Sequence, residues 1–219
     1  MKLAEKLLQL LYPPRCLFCG EPVPLRGGCT PACSDAAAAA RFAPSERALP
    51  DDRLPQLTHL VCSFHYDAVI AQAVARFKFR GYEEHRFPMA QYLTADLQEA
   101  GLANAFDAVV WVPSWQNNSC HGRLLAKETA KLLDIPCMPL LVKVRQTKKQ
   151  HQLSLAERTQ NLQGAFAASS GALVKAKRIL LVDDVLTTGS TLAACADTLL
   201  AAGAASVSAA VFSKAGQGK

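Results

Sequence analysis

The sequence predicts an α/β fold: a mostly parallel, twisted sheet covered by helices, with a small N-terminal four-cysteine zinc module. Three observations carry this. From about residue 58 onward, short apolar runs alternate with amphipathic segments, the order of strand–helix–strand units. One run, residues 178–191, reads RILLVDDVLTTGST, a buried-strand pattern leading into two carboxylates and a loop of small hydroxyl residues. Finally, Cys16, Cys19, Cys29 and Cys33 crowd together early in the chain with the spacing C-x2-C-x9-C-x3-C.

The N-terminal MKLAEKLLQLLYPPRC places Leu3, Leu7, Leu8, Leu10 and Leu11 at helical spacing and ends at Pro13 and Pro14. It lacks the small residues of a cleavage site, so it does not read as a signal peptide. The two cysteine pairs that follow can supply four thiolates to one tetrahedral Zn²⁺. Gly20, Gly27 and Gly28 suit the tight turns of a zinc knuckle, and the span is too poor in apolar residues to fold without a staple. Two disulfides are the alternative; they need an oxidising compartment. Four cysteines would leave no open position, so the metal would be structural. Cys62, Cys120, Cys137 and Cys195 are scattered and read as core or surface thiols.

Residues 34–57 are Ala-rich, then rich in Pro and charge, which predicts a short helix and a linker. The boundaries that follow are a module over 1–45, a linker over 46–57 and a main domain over 58–219. In that domain a strand is predicted over 57–66 and a helix over 67–81 with Val69, Ile70, Ala73, Val74 and Phe77 on one face. A helix follows over 88–100, a strand over 107–113, a helix over 122–133 and a strand over 137–144. RILLVDD is the next strand. The helix after it buries Leu192, Ala193, Ala196, Leu199 and Leu200 and stops at Gly203, and a last strand spans 205–212.

Ligands of open α/β sheets sit beyond the carboxyl ends of the strands, where Asp183 and Asp184 fall. A carboxylate there can accept from ribose hydroxyls or hold Mg²⁺ through water. Gly189 allows positive φ and close approach of a phosphate. Thr187, Thr188, Ser190 and Thr191 offer hydroxyls, and the free N–H groups of the next helix favour an anion. An ordinary capped strand–turn–helix is the plainer account. No G-x-x-x-x-G-K-[ST] or G-x-G-x-x-G occurs, so neither a P-loop nor dinucleotide binding is supported.

VDDVLTTGST resembles the phosphoribosyl-pyrophosphate (PRPP) motif of type I phosphoribosyltransferases. The resemblance implies that Asp183 and Asp184 are the catalytic acids gripping the ribose 2′ and 3′ hydroxyls. Thr187, Thr188, Gly189, Ser190 and Thr191 would wrap the 5′-phosphate, with Mg²⁺ accompanying PRPP. It further implies that the loop after the 107–113 strand holds pyrophosphate, with Ser114, Trp115, Gln116 and Asn117 as candidates. A lid over 143–166 would close on the reactants, where Lys143, Arg145, Lys148, Lys149 and Arg158 either meet diphosphate or form a solvated face.

A cysteine module ahead of such a domain resembles the ComF family. YPPRCLFCG, FKFRG at 77–81, Val112–Pro113, Thr147 with Gln150, the run from Arg158 to Phe166 and LLVDDVLTTGSTL all carry the likeness. It implies a cytoplasmic bacterial protein acting in DNA uptake or utilisation (competence). The family's basic Arg-Gly-Phe-Asn-Gln segment is replaced here by WQNNSCHGRLLAKE, with only Arg123 and Lys127 as cations; His121 is a partial substitute or an ordinary surface or core residue.

Two functions stay open. One is a phosphoribosyltransferase acting on an unnamed acceptor. The other is a non-catalytic module binding single-stranded DNA and a competence helicase or channel protein. In 76–87, Phe77, Phe79, Tyr82 and Phe87 interleave with Arg76, Lys78, Arg80 and Arg86. That pattern fits base stacking, or Phe77 in the core with Lys78 and Arg80 on the surface. The net charge of +6 suits either function. No apolar run reaches the ~18 residues of a membrane span.

Overall fold

The computed structural model describes residues 13–23, 31–48, 51–115, 121–147, 161–162 and 164–216. The predicted N-terminal helix, Cys29, Cys120 and most of the expected lid lie outside them. The strands among the described residues are β1 (Leu60–His65), β2 (Ala108–Trp111), β3 (Leu141–Lys143), β4 (Phe166–Ala168), β5 (Arg178–Leu186) and β6 (Ser206–Lys214). The helices are α1 (Pro31–Ala39), α2 (Ala68–Phe79), α3 (Arg86–Glu99), α4 (His121–Leu132), the single turn α5 (Gly171–Val174) and α6 (Ser190–Ala201).

The main sheet has the order β1-β6-β5-β2, and every pairing in it is parallel. A parallel bridge from Val109 to Cys137 continues it beyond β2, and β3 and β4 form a separate antiparallel ribbon. Long apolar strands occupy the centre because parallel strands are covered on both faces. β5 and β6 run nine residues each and are buried over most of their length.

The period of two along β5 divides its side chains between two cores. Leu180 and Val182 face a core with Ile70, Val74 and Phe77 of α2, Met89, Leu93 and Leu97 of α3, and Leu125 of α4. Ile179 and Leu181 face the other, with Leu192, Cys195, Ala196 and Leu199 of α6. Helix α2 starts at Asp67, whose carboxylate accepts the Ile70 N–H at 2.9 Å, and ends before Gly81 at φ +76°.

The N-terminal segment shares the first core. Cys16, Leu17, Phe18, Ala37 and Ala40 are buried with Val61 and Phe64, and Arg41 bridges Phe64 on the β1 edge. Residues 51–57, read from sequence as part of a linker, pack onto the main domain. Leu54 is buried there, and Asp51 bonds Lys214 of β6 at 3.0 Å. Behind α3, the buried Asp96 accepts from Arg41 at 2.5 Å, Arg47 at 3.0 Å and Ser63 at 2.6 Å.

Candidate functional site

The site forms where β5 runs into the turn before α6. Because Asp183 and Asp184 are successive on one strand, their side chains leave on opposite faces. Asp184 shares the parity of Val182 and emerges under α2. It is 4% exposed, and its Oδ1 meets Lys78 Nζ at 2.7 Å. Asp183 shares the parity of Leu181 and faces α6; its Oδ1 accepts the Asp184 N–H at 2.9 Å. Burial, then the neighbouring Asp184 charge, push the Asp183 carboxyl well above the usual range, with Lys78 acting the other way. Burial alone would depress Lys78, but Asp184 and Asp183 together hold it above the ordinary lysine value.

After the acids the chain turns at Gly189, which has φ +83° and precedes the first residue of α6. A Cβ at Gly189 would lie 2.9 Å from Leu54 Cδ2, so glycine is required both by the backbone conformation and by the packed 51–57 segment. Gly189, at the N-cap, brings no side chain to cap α6, whose first turn begins at the bend. Thr188 Oγ1 and Ser190 Oγ lie 3.1 Å apart. A small cavity of about 40 Å³ is lined by Asp183, Thr187, Gly189, Thr191 and neighbouring apolar side chains.

Of the pyrophosphate-loop candidates, Ser114 and Trp115 follow β2 and are half-buried; Gln116 and Asn117 lie outside the described residues. Ser114 opens on a separate cavity of about 570 Å³ lined also by Trp111, Arg123, Lys127 and Lys143. Among the described residues, Arg123 and Lys127 have no ion-pair partner. Of the expected lid cations, Lys143 donates to Thr147 Oγ1 at 2.8 Å and Arg145 to the Asn161 carbonyl at 3.0 Å. His121 packs its ring edge-on against Phe77 at 5.2 Å.

Cys16, Cys19 and Cys33 bring their sulfurs within 4.8 Å of one another, a cluster able to hold a metal ion; Cys29 lies outside the described residues. Cys16 Sγ and Cys33 Sγ are 3.6 Å apart. That matches the edge of a tetrahedron with metal–sulfur bonds of about 2.3 Å and is far longer than a disulfide bond. The Phe18 N–H donates to Cys16 Sγ at 3.3 Å, as expected around a thiolate. The buried Arg76 of α2 ties this loop down by donating to the Phe18 carbonyl at 2.6 Å and the Cys19 carbonyl at 2.9 Å.

One residue of the FKFRG segment therefore differs from its sequence reading, and a neighbour gains a role that the sequence did not assign. Lys78 is not a plain surface cation: α2 aims it at Asp184. Arg76 is buried because two loop carbonyls replace its hydration. Pairing across elements produces both outcomes, and neither residue's local pattern encodes it.

Residues 121–219 match the phosphoribosyl transferase domain family. The chain is 30% identical over 207 residues to the DNA utilization protein YhgH of Salmonella typhimurium, covering 88% of this chain and 86% of that protein. The chain belongs to the ComF family. A second ComF relative, competence protein F of Haemophilus influenzae, is 32% identical over 148 residues, which span 63% of this chain and 65% of that protein. Among solved structures, the glutamine PRPP amidotransferase from B. subtilis is 24% identical with a TM-score of 0.41, over 58% of this chain and 26% of that one. Adenine phosphoribosyltransferase from Leishmania tarentolae is 16% identical with a TM-score of 0.41, over 71% of this chain and 76% of that one. Among the described residues of this ComF-family protein, no helix is long and apolar enough to cross a membrane.

Proposed function

We propose that this ComF-family protein binds PRPP with Mg²⁺ and acts in the cytoplasm in DNA uptake or utilisation, transferring a phosphoribosyl group to an acceptor. The observation that carries the reading is the pair Asp183–Asp184 near the carboxyl end of a central parallel strand, with the left-handed Gly189 five residues on at the N-cap of α6. In transfer, the bond from ribose C1′ to the diphosphate oxygen breaks, its electron pair leaves on pyrophosphate, and the acceptor's nucleophile bonds C1′ as its proton departs. Asp183 and Asp184 would hold ribose hydroxyls and offset charge developing on the ring, and the Thr187–Thr191 turn would seat the 5′-phosphate. The hard carboxylate oxygens also suit Mg²⁺, which supplies charge neutralisation to the diphosphate. Ser114 and Trp115, with Gln116 and Asn117, would border the pyrophosphate. Zn²⁺ is the metal best suited to the thiolates of Cys16, Cys19, Cys29 and Cys33, in a structural role within a module over 1–45.

Isothermal titration of PRPP with Mg²⁺ tests the reading. Heat of binding is expected for the native sequence and its loss for Asp183→Asn with Asp184→Asn. No heat at millimolar PRPP rejects it.

One observation favours a second reading, in which single-stranded DNA binds without turnover: Arg123, Lys127 and Lys143 surround Trp111 in one cavity. That reading predicts affinity for a short oligonucleotide that falls steeply with salt and drops in Arg123→Ala; a flat salt response rejects it.

A further inference from the structure

The FKFRG segment holds a cation that the proposed function leaves unused. Lys78 sits in the last turn of α2, held there by the fully buried Phe77 on one side and the left-handed Gly81 on the other. Its ammonium reaches Asp184 Oδ1 at 2.7 Å, with the carboxylate side chain 6% exposed and that of the lysine 29%. Among the described residues, no other side chain bonds the Asp184 carboxylate. The Asp184 main chain is fixed separately, since Ser213 Oγ donates to its carbonyl at 3.1 Å.

We propose that Lys78 is a positioning residue of the sugar-phosphate site. It fixes one oxygen of Asp184 and leaves the other oxygen to accept from a ribose hydroxyl. The inference rests on reading Asp183 and Asp184 as the ribose-binding acids. It goes further by giving the two acids unequal roles. Asp184 is held by the protein from the α2 side, while among the described residues Asp183 is bonded by the backbone N–H of its neighbour. Lys78 touches no ligand in this arrangement and acts through Asp184 alone.

Titration calorimetry of PRPP with Mg²⁺ against five metal-replete proteins decides the matter: the native sequence, Lys78→Met, Lys78→Arg, Asp184→Asn and the double variant Lys78→Met/Asp184→Asn. Loss of a charge-assisted bond at the Asp184 carboxylate predicts about ten- to hundredfold weaker binding in Lys78→Met. Lys78→Arg should recover most of it. Lys78→Met should cost nothing further once Asp184 is Asn, because the two residues act as one unit. The double variant buries no unpaired charge, so it keeps the test open where Lys78→Met fails to fold. Native-like affinity in Lys78→Met overturns the proposal, as does an additive loss in the double variant. Absence of binding by the native sequence overturns instead the reading of the acid pair itself.

Discussion

Gly189 is the residue on which the turn geometry depends, for two separable reasons. Its φ of +83° penalises any L side chain, and Leu54 fills the space a Cβ would take. Gly189→Ala should lower unfolding free energy by about 1–3 kcal/mol and weaken PRPP binding. Adding Leu54→Ala should relieve the contact and leave the backbone strain, so urea denaturation of both variants measures each part. Asp96 works by charge. It is buried and paired with Arg41 and Arg47, so Asp96→Ala would strand the Arg41 guanidinium and leave Arg47 with Glu99 and the Phe42 carbonyl, at a cost of about 3 kcal/mol read from the denaturation midpoint. At this scale the sequence exposed Asp183, Asp184 and Gly189, because acids and glycine after an apolar run are unusual. It hid the role of Lys78, because a charged helical residue reads as solvated until its partner from another element is known, and it assigned no partner to Arg76.

The strands and helices follow hydrophobic period closely where they are long. RILLVDD and the helix over 190–201 were legible because a continuous apolar run needs cover on both faces and its helix supplies it. The three-residue β4 and the single turn α5 were not legible, since AFAASSGALV carries neither period for long enough. The 51–57 segment looked like a free connection because its Pro and charged residues conceal one anchoring apolar side chain, Leu54. The cysteine loop shows the reverse case, with thiol spacing that was plain and a tether to α2 that was invisible. Chelation or Cys16→Ser should release about one metal ion per chain, detected by elemental analysis. In the chelated but otherwise native protein, Cys16, Cys19 and Cys33 should react with a thiol reagent. Cys62, whose thiol burial raises to about 12, and Cys195, also raised by burial, should stay silent until the chain unfolds.

Across the whole molecule, two cores on either side of one sheet join the cysteine segment, the 51–57 segment and the strand ends into a single packed body. One clasp of that body responds to acid. Hydrogen bonds from Arg53 outweigh the cost of burial, and with Lys214 they hold the Asp51 carboxyl below the usual carboxylate range. A depressed carboxyl contributes stability above its unfolded pKa of about 3.9 and loses it as pH falls through the folded value. Native protein should therefore be more stable than Asp51→Asn at pH 7, with the gap closing below about pH 4 in thermal melts. A second feature has wider reach. Arg76 and Lys78 are separated by Phe77 alone, yet one grips the thiol loop and the other the buried acid. A single turn of α2 therefore spans from the cysteine loop to the acid of β5, so a substitution that shifts this turn reaches both at once.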